Sequence, residues 1–314
     1  MLKSGKQVGC GGARAFAVWL AGLLIALSVC ASPVLAQIEP VHVIAFGAHP
    51  DDCDLGAGGT AAKYARLGNK VKFVSLTNGD AGHQSQHGDE LARRRRAEAQ
   101  EAGRRIGIEY EVLDNHDGKL FPTLDVREQV IREIRQWKAD IVIAPRPNDY
   151  HPDHRYTGIV VQDASYMVTV PDIVPDVPAL RKNPVFLYFS DHCTRHLPFR
   201  PDIVVSIDDV YERKLDMLDA HVSQFYEWLP WHDGELADVP QDPAARKKWL
   251  MARKPPVIQT MKGEWLAPLE KRYGAQAGTI QYVEAFEITE YGHQPSEQEI
   301  RRLFPFFPEE AGRP

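Results

Sequence analysis

Short apolar runs alternate with amphipathic stretches over the first two thirds of the chain. The run from Val41 to Ala48 is rich in β-branched and aromatic residues, which is typical of a buried strand. Lys70 to Thr77 and Asp140 to Pro145 show the same pattern, whereas Leu124 to Trp137 has the periodicity of an amphipathic helix. Strand and helix signals that alternate in this way indicate βαβ units. The sequence therefore predicts an α/β fold with a mostly parallel sheet and helices on both faces.

The remaining elements follow from the same patterns. Gly56, Gly58 and Gly59 are expected to form a turn before the first helix, and the proline-containing tail is expected to be loop. Further strands are predicted at Glu109 to Leu113, Val185 to Ser190, Ile203 to Ile207 and Tyr282 to Glu287. Further helices are predicted at Thr60 to Leu67, Asp89 to Ile106, His154 to about Met167 and Val210 to about Phe225.

The N-terminus has the composition of a secretory signal peptide. Three basic residues precede an apolar run from Ala15 to about Ala31, and Val34-Leu35-Ala36 is a suitable cleavage site. An uncleaved membrane anchor and lipidation of Cys30 are the alternatives, but the apolar run is short and Val29 does not suit a lipoprotein signal. We expect residues 1–36 to be removed and the mature protein to be secreted or periplasmic. Residues 37–314 are then one domain, with a Trp- and Pro-rich insertion or lid at about 225–265.

Charge and cysteine content limit the possible partners. Removal of the three basic residues of the signal lowers the formal charge from −6 to −9, which argues against nucleic acid as a partner. No membrane contact is expected after cleavage, and the sequence indicates no oligomeric state. Cys53 and Cys193 remain in the mature chain, so the fold does not depend on a disulfide framework. Carboxylates beside Cys53 suppress its thiolate, and we expect a small buried filler there.

Residues able to carry chemistry cluster where two predicted strands end. Ala48-His49-Pro50-Asp51-Asp52 closes the first run, and its proline starts a turn. Asn148 to His154 (NDYHPDH) follows the strand that ends at Pro145. Either aspartate of the first cluster could merely cap a helix. Because a doubly wound sheet brings the carboxyl ends of its strands together, both clusters are expected to face one crevice.

The two clusters contain the ligands of a catalytic zinc site. Such a site typically has three nitrogen or oxygen ligands and one position open for water, and His49, Asp52 and His154 fit that count. Asp51 is left beside the ion as a general base. His151 is left beside the open position, where an imidazolium or a neutral N–H would stabilise an oxyanion. Fe(II), Co(II) or Ni(II) would accept the same ligands.

Taken together, the two motifs resemble those of the LmbE/PIG-L family of zinc-dependent N-deacetylases. Further matches are Gly56-Ala57-Gly58-Gly59-Thr60, Thr77-Asn78-Gly79, Arg95 with Glu98, His221-Val222-Ser223-Gln224 and Glu284-Ala285-Phe286. The resemblance spans about residues 41–286 and implies a Rossmann-like fold that hydrolyses an N-acetyl group of an amino sugar. By motif position it implies zinc on His49, Asp52 and His154, the base at Asp51, and transition-state support from His151.

The resemblance has two departures. Cys53 stands where many members have Glu, which affects the finer geometry of the first loop rather than the ligands. The region from Trp228 to Trp265 has no counterpart in the family, so the identity of the substrate is the part of the function that the resemblance supports least.

Four more residues each have two interpretations. Asp153 could orient one of the histidines as a partner outside the ligand set. Arg95 could bind a sugar hydroxyl or a phosphate, or form a surface salt bridge to a nearby Glu. His221 and Gln224 could line the site, although buried polar groups with hydrogen-bond partners would give the same pattern.

We therefore expect a secreted zinc-dependent hydrolase that removes an N-acetyl group from an N-acetylated amino sugar or glycoconjugate. One alternative is a metal-dependent hydrolase of another amide, ester or phosphoester, but a two-metal phosphoesterase needs further ligands that only Asp80 or His83 would supply. Another is a non-catalytic Rossmann-type binding protein. The GAGG stretch lacks the GxGxxG spacing directly after the strand, and carboxylates occupy the place where phosphate would lie.

Overall fold

Seven strands form one sheet within residues 39–195, 197–253 and 263–308, which are the residues that the computed structural model describes. The predicted signal peptide lies outside these residues. From Pro40 onward the chain forms one compact unit. The strands are β1 (His42–Gly47), β2 (Lys70–Thr77), β3 (Glu109–Asn115), β4 (Ile141–Ala144), β5 (Val185–Phe189), β6 (Ile203–Ser206) and β7 (Val283–Gly292).

The sheet is mostly parallel, as predicted. Its strand order is β3-β2-β1-β4-β5-β7-β6, and the pairs among β1 to β5 are all parallel. β7 runs antiparallel to both β5 and β6. From β1 the sheet continues to β2 and β3 on one side, and from β4 it continues to β5 on the other side. The space beyond the carboxyl ends of β1 and β4 is therefore the topological switch point of the sheet.

Helices cover both faces because successive side chains of a strand point to opposite sides. Val43 and Ala45 of β1 pack in one apolar cluster with residues of α1, α2 and α5, whereas Ile44 and Phe46 pack in a second cluster with α3 and α4. The helices are α1 (Asp52–Arg66), α2 (Gly88–Ile106), α3 (Leu124–Trp137), α4 (Pro152–Met167), α5 (Tyr211–Asp219), α6 (Leu229–His232), α7 (Pro243–Ala252), α8 (Leu266–Tyr273) and α9 (Glu297–Leu303). None of the helices among the described residues is long and apolar enough to cross a membrane.

The prediction that Gly56, Gly58 and Gly59 form a turn before the first helix is wrong. α1 begins at Asp52, so all three glycines lie inside it. A Cβ at Gly56 would come within 2.6 Å of Phe189, and one at Gly59 within 2.7 Å of Ile207. The glycines therefore allow α1 to lie close to the sheet rather than to form a turn.

Several other boundaries also differ from the prediction. The helix expected from Val210 to Phe225 breaks after Asp219, and residues Ser223–Trp228 form a π-helical turn. α9, which the capping box of Ser296 and Glu299 begins, was not predicted; it ends at Leu303, and the described residues of the proline-containing tail beyond it are loop, as predicted.

The Trp- and Pro-rich region divides between two apolar clusters. Phe225 and Tyr226 pack with Leu250 of α7 against α5. Trp265 is buried in a separate cluster with Val204 of β6 and residues of α8. Residues 254–262 lie outside the described part of the chain, and the lid role of the region stays a prediction.

Candidate active site

Both sequence clusters lie at the switch point between β1 and β4, where they were expected to meet. His49 lies in the loop between β1 and α1, whereas the other two predicted ligands lie in the first turn of a helix. Asp52 is the first residue of α1, and His154 is the third residue of α4, which begins at Pro152 and not at His154 as predicted. A proline and carboxylates suit a first turn, because it has N–H groups without helical partners and a positive dipole end.

Three side-chain atoms of the predicted ligands form a nearly equilateral triangle. Nδ1 of His49 lies 3.3 Å from Nε2 of His154, and these nitrogens lie 3.5 and 3.4 Å from Oδ2 of Asp52. Ligands of a tetrahedral zinc ion at bond lengths of about 2.0–2.1 Å are separated by roughly 3.4 Å. Oδ2 also accepts hydrogen bonds from the backbone N–H groups of Ala48 and His49, at 2.8 and 2.9 Å, which hold the carboxylate in place. The donor set fits a tetrahedral ion.

Carboxylates also hold the other nitrogen of each histidine in the triangle. Nε2 of His49 lies 3.1 Å from Oδ1 of Asp117 and 3.5 Å from Oδ2 of Asp153. Nδ1 of His154 lies 3.0 Å from Oδ1 of Asp149. A carboxylate on the distal nitrogen fixes the orientation of a metal-binding imidazole and raises its basicity. Asp153 therefore has the position of the orienting partner that the sequence suggested.

The electrostatics of the cluster favour a cation. Burial lowers the pKa of His154, but the carboxylates of Asp52 and Asp149 outweigh it and raise that pKa to about 10. The pKa of His49 is also raised, because three nearby carboxylates outweigh its burial. The negative potential that retains protons on these rings would equally retain a divalent ion. Two further sets of possible ligands among the described residues share His49: one adds His151 and His154, the other Asp117 and Asp153.

Asp51, the predicted base, is buried beside the triangle. Its Oδ1 lies 3.4 Å from Nη2 of Arg95, and Nη1 of Arg95 lies 3.6 Å from Asp117. Burial raises the pKa of Asp51 above its ordinary value, although Arg95 opposes the shift. Arg95 is itself buried, so the surface salt bridge to a Glu is wrong as its interpretation. The adjacent residue Arg94 forms a salt bridge of this kind, with Glu98 at 3.1 Å.

His151 lies at the edge of the triangle. Its ring centroid is 4.7 Å from that of His49 and 5.0 Å from that of His154. Nδ1 of His151 accepts a hydrogen bond from the backbone N–H of Asp153 at 3.2 Å, so a neutral ring carries its proton on Nε2. Burial and the two neighbouring histidines lower the pKa of His151, which favours that neutral form.

Asp117 and Asp149 are the site residues that sequence reasoning missed. Asp117 was missed because β3 was expected to end at Leu113, whereas the strand continues to Asn115 and places Asp117 at the carboxyl edge. The signal was Asp117-Gly118, a turn pair after a strand. Asp149 lies inside the second motif, and only the folded loop shows that it is the partner of His154.

His221 and Gln224 are both buried and have partners in other parts of the chain. His221 is fully buried, and its Nε2 lies 2.9 Å from Oδ1 of Asp54 in α1. Gln224 donates from Nε2 to the carbonyl of Gly82 at 3.0 Å. Cys53 is fully buried, and burial and its acidic neighbours raise the pKa of its thiol, which confirms the filler interpretation.

A protein-family comparison agrees with these motifs. The family model of PIG-L, described as GlcNAc-PI de-N-acetylase, matches residues 44–165. Diacetylchitobiose deacetylase of Thermococcus kodakarensis is 32% identical over 201 residues, which cover 60% of this chain and 73% of the relative. The chain belongs to the PIG-L family.

The similarity also extends to a solved structure and to a relative named for another activity. The structure of N,N'-diacetylchitobiose deacetylase from Pyrococcus horikoshii has 27% identity and a TM-score of 0.58, and the match covers 79% of this chain and 83% of that one. One relative has a different name: 4-oxalmesaconate hydratase of Pseudomonas putida is 23% identical over 193 residues, which cover 59% of this chain and 74% of the relative. The more similar relatives are named deacetylases, and this member of the PIG-L family is an N-deacetylase with a possible His/Asp metal site.

Proposed function

We propose that the protein is a secreted, zinc-dependent enzyme that removes the acetyl group from an N-acetylated amino sugar or glycoconjugate. The observation that carries the proposal is the triangle of His49 Nδ1, Asp52 Oδ2 and His154 Nε2, whose sides of 3.3 to 3.5 Å match tetrahedral zinc. The names of the relatives support the amino sugar, because the family model and the Thermococcus protein both refer to N-acetylated glucosamine compounds.

The metal would be held by His49, Asp52 and His154. When bound, a zinc ion acidifies a water molecule to a pKa of about 7 and polarises an amide carbonyl. The surrounding carboxylates Asp117 and Asp149 orient the two imidazoles, since each lies within 3.1 Å of the nitrogen that does not face the triangle.

Proton transfer is assigned to Asp51. Its raised pKa brings the carboxylate nearer to the basicity of a general base at neutral pH. Asp51 takes the proton of the attacking water, and the protonated carboxyl then gives it to the departing amine. Arg95 fixes the Asp51 carboxylate from one side, at 3.4 Å. General acid–base groups of this kind contribute about 10²- to 10⁴-fold to rate.

Oxyanion stabilisation is assigned to His151. Its Nδ1 is engaged by the backbone N–H of Asp153, so Nε2–H is the donor available to an amide oxygen that becomes negatively charged. A neutral donor suits the lowered pKa of this ring. Loss of one such donor typically costs about 10²- to 10³-fold in kcat.

The test is release of free amine from N-acetylglucosamine and from short chitin and peptidoglycan fragments. Zinc-loaded wild-type protein is compared with Asp51→Asn and His154→Ala, with zinc content measured on each sample. The control is Asp163→Asn, which changes an exposed aspartate of α4. We expect release by wild type and the control, a roughly 10²- to 10⁴-fold loss in Asp51→Asn with zinc retained, and loss of both zinc and activity in His154→Ala.

Two results would contradict the proposal. If the protein binds zinc stoichiometrically but releases no amine from any of these sugars, the metal site stands and the assignment of an amino-sugar substrate is contradicted. Full activity in Asp51→Asn would remove the assigned base.

Secretion is tested separately by the mass of the protein purified from culture medium or periplasm. Cleavage after Ala36 gives a mature chain that begins at Gln37. Recovery of the uncleaved chain in the cytoplasmic fraction would contradict this part of the proposal.

A further inference from the structure

Gln224 lies in the π-helical turn after α5 and binds the loop between β2 and α2, residues 78–87. Its Nε2 donates to the carbonyl oxygen of Gly82 at 3.0 Å, and its side chain is buried. A π-helical turn is rare and frequently lies at a functional site. The proposed mechanism does not use this contact.

A second residue of the turn strengthens the attachment of the loop. Oε2 of Glu227 lies 2.9 Å from Nε2 of His83, the residue after Gly82, and the His83 side chain is buried. The two oxygens of Glu227 also accept hydrogen bonds from Arg94 of α2, at 2.6 and 2.7 Å. Because the turn contacts two consecutive residues of the loop, it fixes the path of the loop backbone there.

The same loop encloses the guanidinium of Arg95. A Cβ added at Gly79 would lie 2.7 Å from Nη1 of Arg95, and one added at Gly82 would lie 3.0 Å from the same atom. The loop can approach the arginine this closely because both residues are glycine. The other terminal nitrogen, Nη2, lies 3.4 Å from Oδ1 of Asp51. The loop is therefore the wall behind the arginine that contacts the proposed base.

These contacts form one continuous path. It runs from the amide of Gln224 through the backbone of Gly82 and the guanidinium of Arg95 to the carboxylate of Asp51. We propose that Gln224 is a positioning residue for the reaction, because it holds the loop against Arg95 and thereby keeps Arg95 on Asp51. The inference rests on the proposed deacetylase function, in which Asp51 is the base. Since Asp51 contacts the attacking water rather than the sugar, loss of Gln224 lowers kcat and leaves KM unchanged.

The experiment measures kcat, KM and zinc content at a pH above the acidic limb of every variant. Gln224→Met keeps the length of the side chain but removes its donor. The control is Gln294→Met, which removes the same kind of bond, from Nε2 to the carbonyl oxygen of Thr289 at 3.0 Å. We expect Gln224→Met to lower kcat roughly three- to thirtyfold, with KM within about twofold of wild type and zinc retained. Gln294→Met keeps the wild-type values.

A double-variant cycle separates positioning from a general loss of order. In an Arg95→Gln background, Gln224→Met is expected to cause no further loss of kcat, because the residue through which it acts is absent. If the two losses multiply, or if Gln294→Met lowers kcat as much as Gln224→Met, the inference is wrong. Gly82→Ala tests the same path if Gln224→Met does not fold, since its Cβ would displace Arg95. Wild-type kcat in Gly82→Ala would contradict the inference.

A crystal structure of Gln224→Met distinguishes failure of this inference from failure of the proposed function, because it requires no substrate. We expect the guanidinium of Arg95 to lie farther from Asp51 than in wild type. If that distance is unchanged, the positioning role is wrong and the proposed function stands. If metal-loaded wild type hydrolyses no N-acetylated sugar, the proposed function fails and the effect on kcat falls with it.

Discussion

Nζ of Lys214 lies 2.7 Å from Oε1 of Glu284, and neither side chain is exposed to solvent. Lys214 also donates to the backbone carbonyl of Leu55, and Glu284 accepts from the backbone N–H groups of Gly59 and Thr60, all within 2.8 Å. Because Lys214 is in α5 and Glu284 in β7, the pair attaches α1 to both elements. The helix that begins with Asp52 is thereby fixed to the sheet.

Lys214→Met is expected to lower the free energy of unfolding by about 3–5 kcal/mol, because it leaves the Glu284 carboxylate buried without its cation. Urea unfolding measures the change, and the double variant Lys214→Met/Glu284→Gln is expected to recover part of it. The control is Lys182→Met, which removes an exposed cation 3.2 Å from Glu299 and is expected to cost about 0–1 kcal/mol. Equal effects of the two single variants would show that the buried pair contributes no more than a surface pair.

Arg135 holds the segment after α4 through backbone carbonyls alone. Its five N–H groups are shared among six carbonyl oxygens within hydrogen-bond distance, those of Met167, Val168, Val170, Ile173, Val174 and Val177. Arg135→Lys keeps the charge, but an ammonium group has fewer N–H donors than a guanidinium and cannot reach all of these carbonyls. Each buried carbonyl left without a partner costs about 1–3 kcal/mol.

We therefore expect Arg135→Lys to destabilise the protein by about 2 kcal/mol or more and to expose residues 168–177 to proteases. Thermal unfolding and limited proteolysis measure the two effects. Arg132→Lys, which changes a partly exposed arginine of the same helix paired with Asp176, is expected to do neither. If Arg135→Lys is as stable as Arg132→Lys, the claim that Arg135 stabilises the segment after α4 is contradicted.

Arg95→Gln is expected to change the pH dependence of the reaction. Arg95 lowers the pKa of Asp51 by favouring its charged form, so loss of the guanidinium raises that pKa further. The base acts as the carboxylate, and activity is lost as pH falls through its pKa. The acidic limb of the kcat/KM profile therefore moves to higher pH in this variant. Arg93→Gln, an exposed arginine of the same helix, provides the control. An acidic limb at the same pH as in wild type would show that Arg95 does not influence the pKa of the catalytic base.

Residues with a local signature could be located from the sequence alone. His49 and Asp52 are three positions apart, at a proline that ends an apolar run, and His154 follows a second run of the same kind. The switch-point geometry of a parallel sheet then brings the two clusters together. Both the mostly parallel fold and the meeting of the clusters follow from such short patterns.

Residues whose role depends on distant contacts could not be located in this way. The proximity of Asp117 to His49 depends on how far β3 extends and on the order β3-β2-β1. Arg95 lies within a run of four arginines that suggests a solvated face, and only the orientation of α2 turns it inward. The role of Gly56 depends on Phe189, which is remote in sequence.

The central claim is that His49, Asp52 and His154 bind one metal ion, and an anomalous difference map of zinc-containing crystals tests it most directly. We expect a single peak about 2.0–2.1 Å from Nδ1 of His49, Nε2 of His154 and a carboxylate oxygen of Asp52. A peak coordinated instead by Asp117 and Asp153, or no peak between β1 and β4, would contradict the assignment.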